Sequence, residues 1–531
     1  MRRILCLLLV LSIVPAMAQA ATETYDAIVV GSGAGGLGAA AQLTLAGKKV
    51  LLLEQHDKFG GYMTAFERGE YRFEVSLHEL DGVAPGNTHY RLFQDAGVLD
   101  KVKFHRLDPL YRATFPDFSL DVPADVNLYR QRLIEKFPAE RAGINRLFKK
   151  MLSFKKQLDS TDGMFGKCPL RRAWAYFTTP LLRPDLMTYL DKTLDTLVYQ
   201  YIEDPRARGV FCQLWGYLGL PPEQLSAMYF AGMWGSYHTV GGYYPEGGSQ
   251  AISDALAQYV ATHGGTVKTN SRVAQILVAD GRVSGVQLDN GEQYLAPYVV
   301  SNASLPTTVE KLVGAEHFPP EYVAKISKME ISLSLAQIFI GIKDRRVLEP
   351  LGGNHSVFVN EDFSPPVNAG YAVDGDLEKC PFVLVDYGIH DPTCAPAGGS
   401  VLVITVPLQY DYLNRWRRDE GYDAYAAAKN EMAEAILTRA EKILPGLREQ
   451  IAVKEIGTPL TMERYTLNPR GAVYGYAHTP KQSIIFRPKN KSPLPGLYYA
   501  GAWTYMGGGQ SACLQSGMIA AEQILAEQEQ E

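Results

Sequence analysis

Residues 25–54 read YDAIVVGSGAGGLGAAAQLTLAGKKVLLLE, and the order of residue types in them decides the fold class. YDAIVV (25–30) is a short apolar run of the kind that forms a buried parallel strand. GSGAGG follows at once, then a helix of small residues over 37–46, then a second apolar strand, KVLLL (49–53), ending in Glu54. This is a βαβ unit with G-x-G-x-x-G at its turn, the pattern that binds a dinucleotide. Gly31 permits the tight turn, Gly33 lets the backbone approach a pyrophosphate, and Gly36 lets helix and strand pack closely. The phosphates meet free N–H groups at the positive end of the helix dipole. Glu54 stands at the tip of the second strand, where a carboxylate accepts hydrogen bonds from ribose hydroxyls and disfavours a 2′-phosphate.

The next residues decide which dinucleotide. Glu54 leads through Gln55 and the run HDKF to Gly60-Gly61, with Lys58 just ahead of the glycines. A basic residue before a glycine pair resembles the flavoprotein signature in which the chain folds back over the FAD phosphates. An ordinary Gly-Gly turn is the competing reading. At the far end, LYYA (497–500) reads as a strand, Gly501-Ala502-Trp503-Thr504 as a turn, and Gly507, Gly508 and Gly509 lead into a helix over about 511–527. A glycine-rich turn at a helix N-terminus offers N–H groups to a negative group. In flavoproteins that group is commonly the pyrimidine edge of the flavin, whose N1 and C2 oxygen carry charge when reduced.

These motifs, with YYPEGGSQAISDAL (243–256) and YYAGAWTYMGGGQSACLQSG (498–517), resemble the phytoene desaturase superfamily of flavoproteins, which contains carotenoid desaturases, carotenoid cis–trans isomerases and retinol saturases. The resemblance covers nearly the whole chain after the first twenty residues and extends more distantly to amine oxidases. Many related flavoproteins carry Gly-Asp where this chain has Gly501-Ala502, and the alanine is similar to the carotenoid-type branch. The family often has Pro at Met506 and Lys or Arg at Glu246. The resemblance implies FAD as cofactor and a long apolar substrate, commonly a lipid drawn from the bilayer.

The middle of the chain fits a discontinuous architecture. GGYYPEGG (241–248) introduces a helix over 249–263, with Ile252, Leu256 and Val260 at helical spacing. Two Gly-containing turns then separate β-branched runs at 273–278 and 283–288, which predicts antiparallel strands. In the superfamily such a hairpin belongs to the FAD domain, with Val273 near the adenosine. The expected fold is α/β: a Rossmann-like, three-layer FAD domain with a parallel sheet, interleaved with an α+β substrate domain on a mixed sheet. The FAD domain is expected from 22–84, 229–304 and 470–531, and the substrate domain from 85–228 and 305–469. Strand-like runs at 332–342 and 400–408 and a helix over 422–444 should build the sheet beneath the flavin's reactive face.

The first twenty residues are not part of this fold. Arg2 and Arg3 precede an apolar run over 4–14 and the small residues Ala16, Ala18 and Ala20, the plan of a secretory signal peptide over 1–20. An uncleaved anchor is the alternative, and either places the body of the protein outside the cytoplasm. The whole chain has 531 residues, enough for two or three structural units. A formal charge of −5 leaves no basic surplus for nucleic acid. Removing Cys6 leaves five cysteines, without C-x-x-C spacing. That supports no metal site and leaves Cys380 and Cys394 either free or paired across a loop.

The flavin supplies the chemistry in such a protein, so side-chain signals are sparse. Glu246 is the candidate acid or base, on the argument that a carboxylate in an aromatic pocket has its pKa raised. Tyr244 and Tyr505 are the accompanying candidates, with Tyr243 and His78 nearby in the pattern. Cys513 on the last helix is a remote candidate for a covalent flavin link. The segment 165–190 mixes Arg171, Arg172 and Arg183 with Trp174, Tyr176 and Phe177, which suits peripheral contact with anionic lipid or a buried helix pair. The expected activity is desaturation, saturation or cis–trans isomerisation at C=C bonds of a long apolar polyene such as a carotenoid or retinoid. An exported enzyme lacks soluble NADPH, which points to quinone, oxygen or another carrier for electrons. Oxidation or isomerisation of unsaturated fatty acids or amines is the enzymatic alternative; a flavin-holding lipid binder or electron relay is the alternative of another class.

Overall fold

Parallel pairing of Ala27–Val30 with Val50–Leu53, Ile28 opposite Leu51, forms the centre of the first sheet. The computed structural model describes residues 24–160 and 169–530, so the leader expected over 1–20 lies outside the described residues. Thr266–Lys268 adds beside Val50–Leu53, while Val299–Ser301 and then Leu497–Tyr499 add on the other side, all in parallel. The five strands thus come from the beginning, middle and end of the chain.

Period-2 alternation sorts their side chains between two cores. Val29, Val50 and Leu52 pack with the helices Ala34–Leu45, Gly248–Thr262 and Gln510–Gln528. Ile28, Val30, Leu51 and Leu53 pack on the other face with Ile276, Val283 and Val286. These belong to a three-stranded antiparallel sheet, Val273–Ala279, Arg282–Leu288 and Gln293–Leu295. Helices, parallel sheet and antiparallel sheet make the three expected layers.

The second unit is a seven-stranded mixed sheet. Leu335–Ile342 pairs antiparallel with Ser400–Pro407, Ile338 opposite Ile404, and on its other edge with Ile451–Gly457. The strand begins at Leu335 rather than 332 because Ser332 and Ser334 bind another segment: Ser332 Oγ accepts the Tyr474 N–H, and Ser334 Oγ donates to the Gly471 carbonyl. Ser356–Val359 pairs in parallel with Tyr111–Thr114, joining residues from two distant stretches in one sheet. Tyr422–Ile443 covers one face, burying Met432, Ile436 and Ala440.

A small sheet links the two units. Gly242–Pro245 lies between Leu80–Asp81 and Phe104–Arg106, which fixes the course of residues 76–81. The cysteine pairing is not made: Cys380 and Cys394 are free thiols. They lie in different cores, Cys380 with Leu384 and Ile404 and Cys394 with Val385 and Val403, on opposite faces of the mixed sheet. Among the described residues no helix is long and apolar enough to cross a membrane.

Candidate cofactor and active site

The first turn is built by close approaches that exclude side chains. Gly31 sits at φ +89°, and a Cβ on Gly36 would stand 1.9 Å from the Gly31 carbonyl oxygen. Glu54 braces this turn from the neighbouring strand, accepting the Ser32 N–H at 2.9 Å and the Ser32 hydroxyl at 2.6 Å on Oε2, and the His56 N–H at 3.0 Å on Oε1. The glycine pair closes over it. Gly60 donates to the Ser32 carbonyl at 3.1 Å, and a Cβ on Gly61 would meet Gly33 Cα at 3.2 Å.

The C-terminal turn reaches the same place. Gly501, at φ +91°, donates to Ser516 Oγ at 3.0 Å. A Cβ on Gly35 would lie 2.5 Å from the Gly501 nitrogen. Between the turns stands Asn302, just after the strand Val299–Ser301 that lies between Ala27–Val30 and Leu497–Tyr499; its amide group fills the space beside Gly33, Gly35 and Gly501. Arg487 supports the second turn from beneath. Its guanidinium is buried and donates to the carbonyls of Tyr476 at 2.8 Å, Ala502 at 2.9 Å and Tyr474 at 3.1 Å, and burial lowers its pKa.

The two turns open onto one cavity of about 2080 Å³, against ~300–1,000 Å³ for an ordinary ligand pocket. Gly31, Gly33, Glu54, Gln55, Gly61, Val273, Gly501, Ala502, Tyr505, Gly508 and Gly509 all line it. Gly36 and Gly60 do not, since both are spent on chain packing: a Cβ on Gly60 would stand 2.0 Å from the Met63 carbonyl oxygen. Lys58 does not line it either; its ammonium donates to the Ala65 carbonyl at 3.3 Å, so it stabilises the loop rather than facing a phosphate.

These residues fit FAD. Two helix N-termini face the cavity without side-chain caps, Glu54 lines it beside the phosphate loop, and Gln510 Oε1 is buried with no hydrogen-bond partner, an acceptor that calls for a donor. FAD bound there supplies two-electron hydride chemistry. Gly508 donates to His478 Nε2 at 3.2 Å, while His478 Nδ1 bonds the Leu218 carbonyl at 3.0 Å. Burial holds His478 neutral, its pKa pushed down to about 3. Burial also pushes the Cys513 thiol up to about 12, so it stays protonated and is a poor nucleophile for a flavin.

The acid expected at this site is misplaced. Glu246 follows the strand Gly242–Pro245, is held by its N–H to the Lys103 carbonyl, and does not line the cavity. Its carboxylate pairs with His105 at 3.0 Å and Lys103 at 3.4 Å, so its pKa is lowered, first by the His105 hydrogen bond, not raised. Tyr244 is corrected likewise: it is buried against His355 and Tyr387, outside the cavity. Tyr243 bonds the Val240 carbonyl at 3.2 Å and stays outside too. Tyr505 does line the cavity, its carbonyl accepting from the Tyr229 hydroxyl at 2.6 Å.

His78 lines the cavity, and with it the unpredicted Glu79. Tyr217 OH lies 3.1 Å from Glu79 Oε2 and 3.3 Å from His78 Nδ1. Burial raises Glu79 to about 8 and lowers His78 to about 4. Asn302 was legible in principle, since VVSN (299–302) is an apolar run ending in a polar residue, and ligands of open parallel sheets bind at the carboxyl ends of strands. Glu79 and Arg487 carry no local signal; their burial is a tertiary fact.

Known proteins agree with this geometry. The model for the family described as flavin containing amine oxidoreductase matches residues 34–525. "Prolycopene isomerase 2, chloroplastic" of an Oncidium hybrid cultivar is 28% identical over 520 residues, covering 95% of this chain and 84% of its own. "Phytoene desaturase (neurosporene-forming)" of Rhodobacter capsulatus is 27% identical, over 94% of this chain and 93% of its own. "All-trans-retinol 13,14-reductase" of Homo sapiens is 26% identical, over 95% of this chain and 86% of its own. Among solved structures, an oxidoreductase from Methanosarcina mazei superimposes with a TM-score of 0.62 at 18% identity, covering 93% of this chain and 99% of that one, which shows the shared fold. The chain therefore belongs to the flavin-containing amine oxidoreductase family and is an FAD-dependent oxidoreductase with full-length relatives among carotenoid isomerases, carotenoid desaturases and retinol reductases.

Proposed function

We propose that this oxidoreductase acts on C=C bonds of a long apolar polyene such as a carotenoid or retinoid, by saturation, desaturation or cis–trans isomerisation. The observation that carries the reading is the extent of the cavity, which runs from the phosphate loops past Phe358, Leu335 and Trp215 to Met187 and Ile485. The last two are also exposed at the surface, so apolar side chains line part of the rim where the cavity meets solvent. A dinucleotide leaves much of so large a space to a second, elongated molecule. The relatives named for prolycopene, phytoene and all-trans-retinol share this length of chain and support the same class of substrate.

Beside this rim, the helix Pro169–Leu182 leaves Trp174, Phe177, Leu181 and Leu182 exposed, Phe177 at 81% and Leu181 at 83%. Apolar side chains projecting there suit a peripheral lipid contact through 165–190, from which substrate enters without crossing water. Arg183 takes no part in that surface, being buried with its guanidinium on Ser160 Oγ at 2.9 Å. Export by the N-terminal leader, with quinone, oxygen or another carrier exchanging electrons, completes the proposal. Anaerobic mixing of the purified flavoprotein with all-trans-retinol and with poly-cis lycopene, followed by flavin absorbance and product chromatography, tests it. Conversion of either polyene is expected; conversion of neither, with an amine or fatty acid turned over instead, rejects the reading.

A further inference from the structure

The segment holding His78 and Glu79 is tied at both ends to the start of the last helix. Gln510 Nε2 donates to Ser76 Oγ at 3.2 Å, and Ser511 Oγ donates to the Asp81 carbonyl at 3.4 Å. Glu79 thus sits on the stretch of chain bordering the turn that receives the flavin ring, and it opens onto the cavity. The hydrogen bonds around it define where its proton resides. Tyr217 donates to Glu79 Oε2 and accepts from His78 Nδ1–H, which is the neutral tautomer consistent with both distances. Oε1 accepts no hydrogen bond from the described residues, so the carboxyl proton belongs there.

The surroundings keep that proton in place. The titratable groups near enough to couple electrostatically with Glu79 are the phenols of Tyr111, Tyr217, Tyr237, Tyr387 and Tyr474 and the carboxylate of Asp81. None of them is a cation that would draw the acid toward ionisation, and burial raises its pKa to about 8. An uncharged acid opening onto the cavity, with its O–H unclaimed by the described residues, is a group with a task.

We propose that Glu79 is the general acid of this site, delivering its Oε1 proton to one carbon of the substrate double bond while Tyr217 and His78 act as positioning residues. The proposal rests on the polyene reading above. The O–H bond of Glu79 breaks as a C–H bond forms, leaving positive charge on the conjugated chain. Bound reduced flavin would supply the hydride that discharges it at the adjacent carbon, a quinol or other reduced carrier would return two electrons to the flavin, and the Glu79 carboxylate would regain its proton from water. Alternatively, the carbon loses a proton back to the Glu79 carboxylate after rotation about the bond, with no net redox change.

The test uses the FAD-loaded full chain and the variants Glu79→Gln and Tyr217→Phe, each checked for flavin content and thermal midpoint. Infrared difference spectra against Glu79→Gln should show one protonated carboxyl band at pH 7 that ionises near pH 8, and Tyr217→Phe should shift that band. With the flavin first reduced by dithionite and all-trans-retinol or poly-cis lycopene added in heavy water, product from the wild-type protein should carry solvent deuterium. Glu79→Gln should lose about 100-fold or more in rate, the lower range for a general acid. An ionised Glu79 at pH 7, or a Glu79→Gln protein converting polyene within a few-fold of wild type, overturns the proposal. Failure of the wild-type protein to convert either polyene overturns it together with the polyene reading, so the two failures are told apart.

Discussion

Gly517 of the last helix lies directly against Gly35 of the first: a Cβ on Gly517 would stand 1.9 Å from the Gly35 carbonyl oxygen and 2.7 Å from the Ala39 nitrogen. Gly38 repeats the contact one turn on, where a Cβ would lie 2.5 Å from the Leu514 carbonyl oxygen. Two helices from opposite ends of the chain thus meet backbone to backbone, and both N-termini open onto one cavity.

Gly517→Val should therefore disturb flavin binding from a distance. Overpacking of this kind costs about 1–3 kcal/mol, and the misfit is borne by the helices that carry both glycine turns. A lowered thermal midpoint and a reduced flavin-to-protein absorbance ratio are expected; Gly370→Ala, where a Cβ meets nothing within 4 Å, is the control for a change at a glycine of open surroundings.

Gly33→Trp should abolish flavin retention while leaving the far-ultraviolet circular dichroism near that of the wild type. A Cβ at this position already comes within 2.5 Å of Asn302 Nδ2, and an indole would fill the phosphate cradle. Colourless protein after reconstitution with FAD is the expected result.

Glu246→Gln should leave polyene turnover within about two-fold, because the carboxylate is ion-paired with Lys103 and His105 outside the cavity. Surface pairs of this sort contribute ~0–1 kcal/mol, so stability should hardly change. Steady-state rates beside those of Glu79→Gln make the comparison.

Acid should destabilise the fold through His478. Its folded pKa lies near 3 while the unfolded chain titrates at its ordinary value of 6.5, so between these values the unfolded state binds more protons. Stability from this group is complete above about pH 6.5 and is lost as pH falls toward 3. His478→Phe should flatten that acid slope in denaturant titrations. It also orphans the Gly508 N–H, at a cost of about 1–3 kcal/mol.

Phe177→Asp and Leu181→Asp should weaken binding to anionic vesicles without changing flavin content, as both side chains are exposed beside the cavity rim. Burying one such side chain contributes roughly 1.5–3 kcal/mol, so each change should reduce vesicle partitioning about ten-fold in a flotation assay.

Local spacing made the cofactor loops readable. The tight turn at Gly31, the close packing at Gly36 and the glycine pair all lie within residues 25–61, where neighbours in sequence are neighbours in space, whereas the brace that Glu54 makes on Ser32 appears only in the structure. The expectation at Glu246 failed on the same ground turned round. Which glutamate enters the aromatic pocket depends on the strand Gly242–Pro245 lying between Leu80–Asp81 and Phe104–Arg106. That pairing puts Glu79 on the cavity and leaves Glu246 with Lys103 and His105.

By itself, the order of residues determined the dinucleotide-binding βαβ unit, because glycine spacing and hydrophobic period act over a few residues at a time, while the flavin and the two interleaved units followed from the resemblance its motifs carry. Only the tertiary structure decided which side chains share the cavity. Burial of Glu79 and the placing of Asn302 between Gly33 and Gly501 arise from contacts between segments far apart in the sequence. Desolvation, which sets the protonation of such groups, is a property of the assembled interior rather than of any stretch of chain.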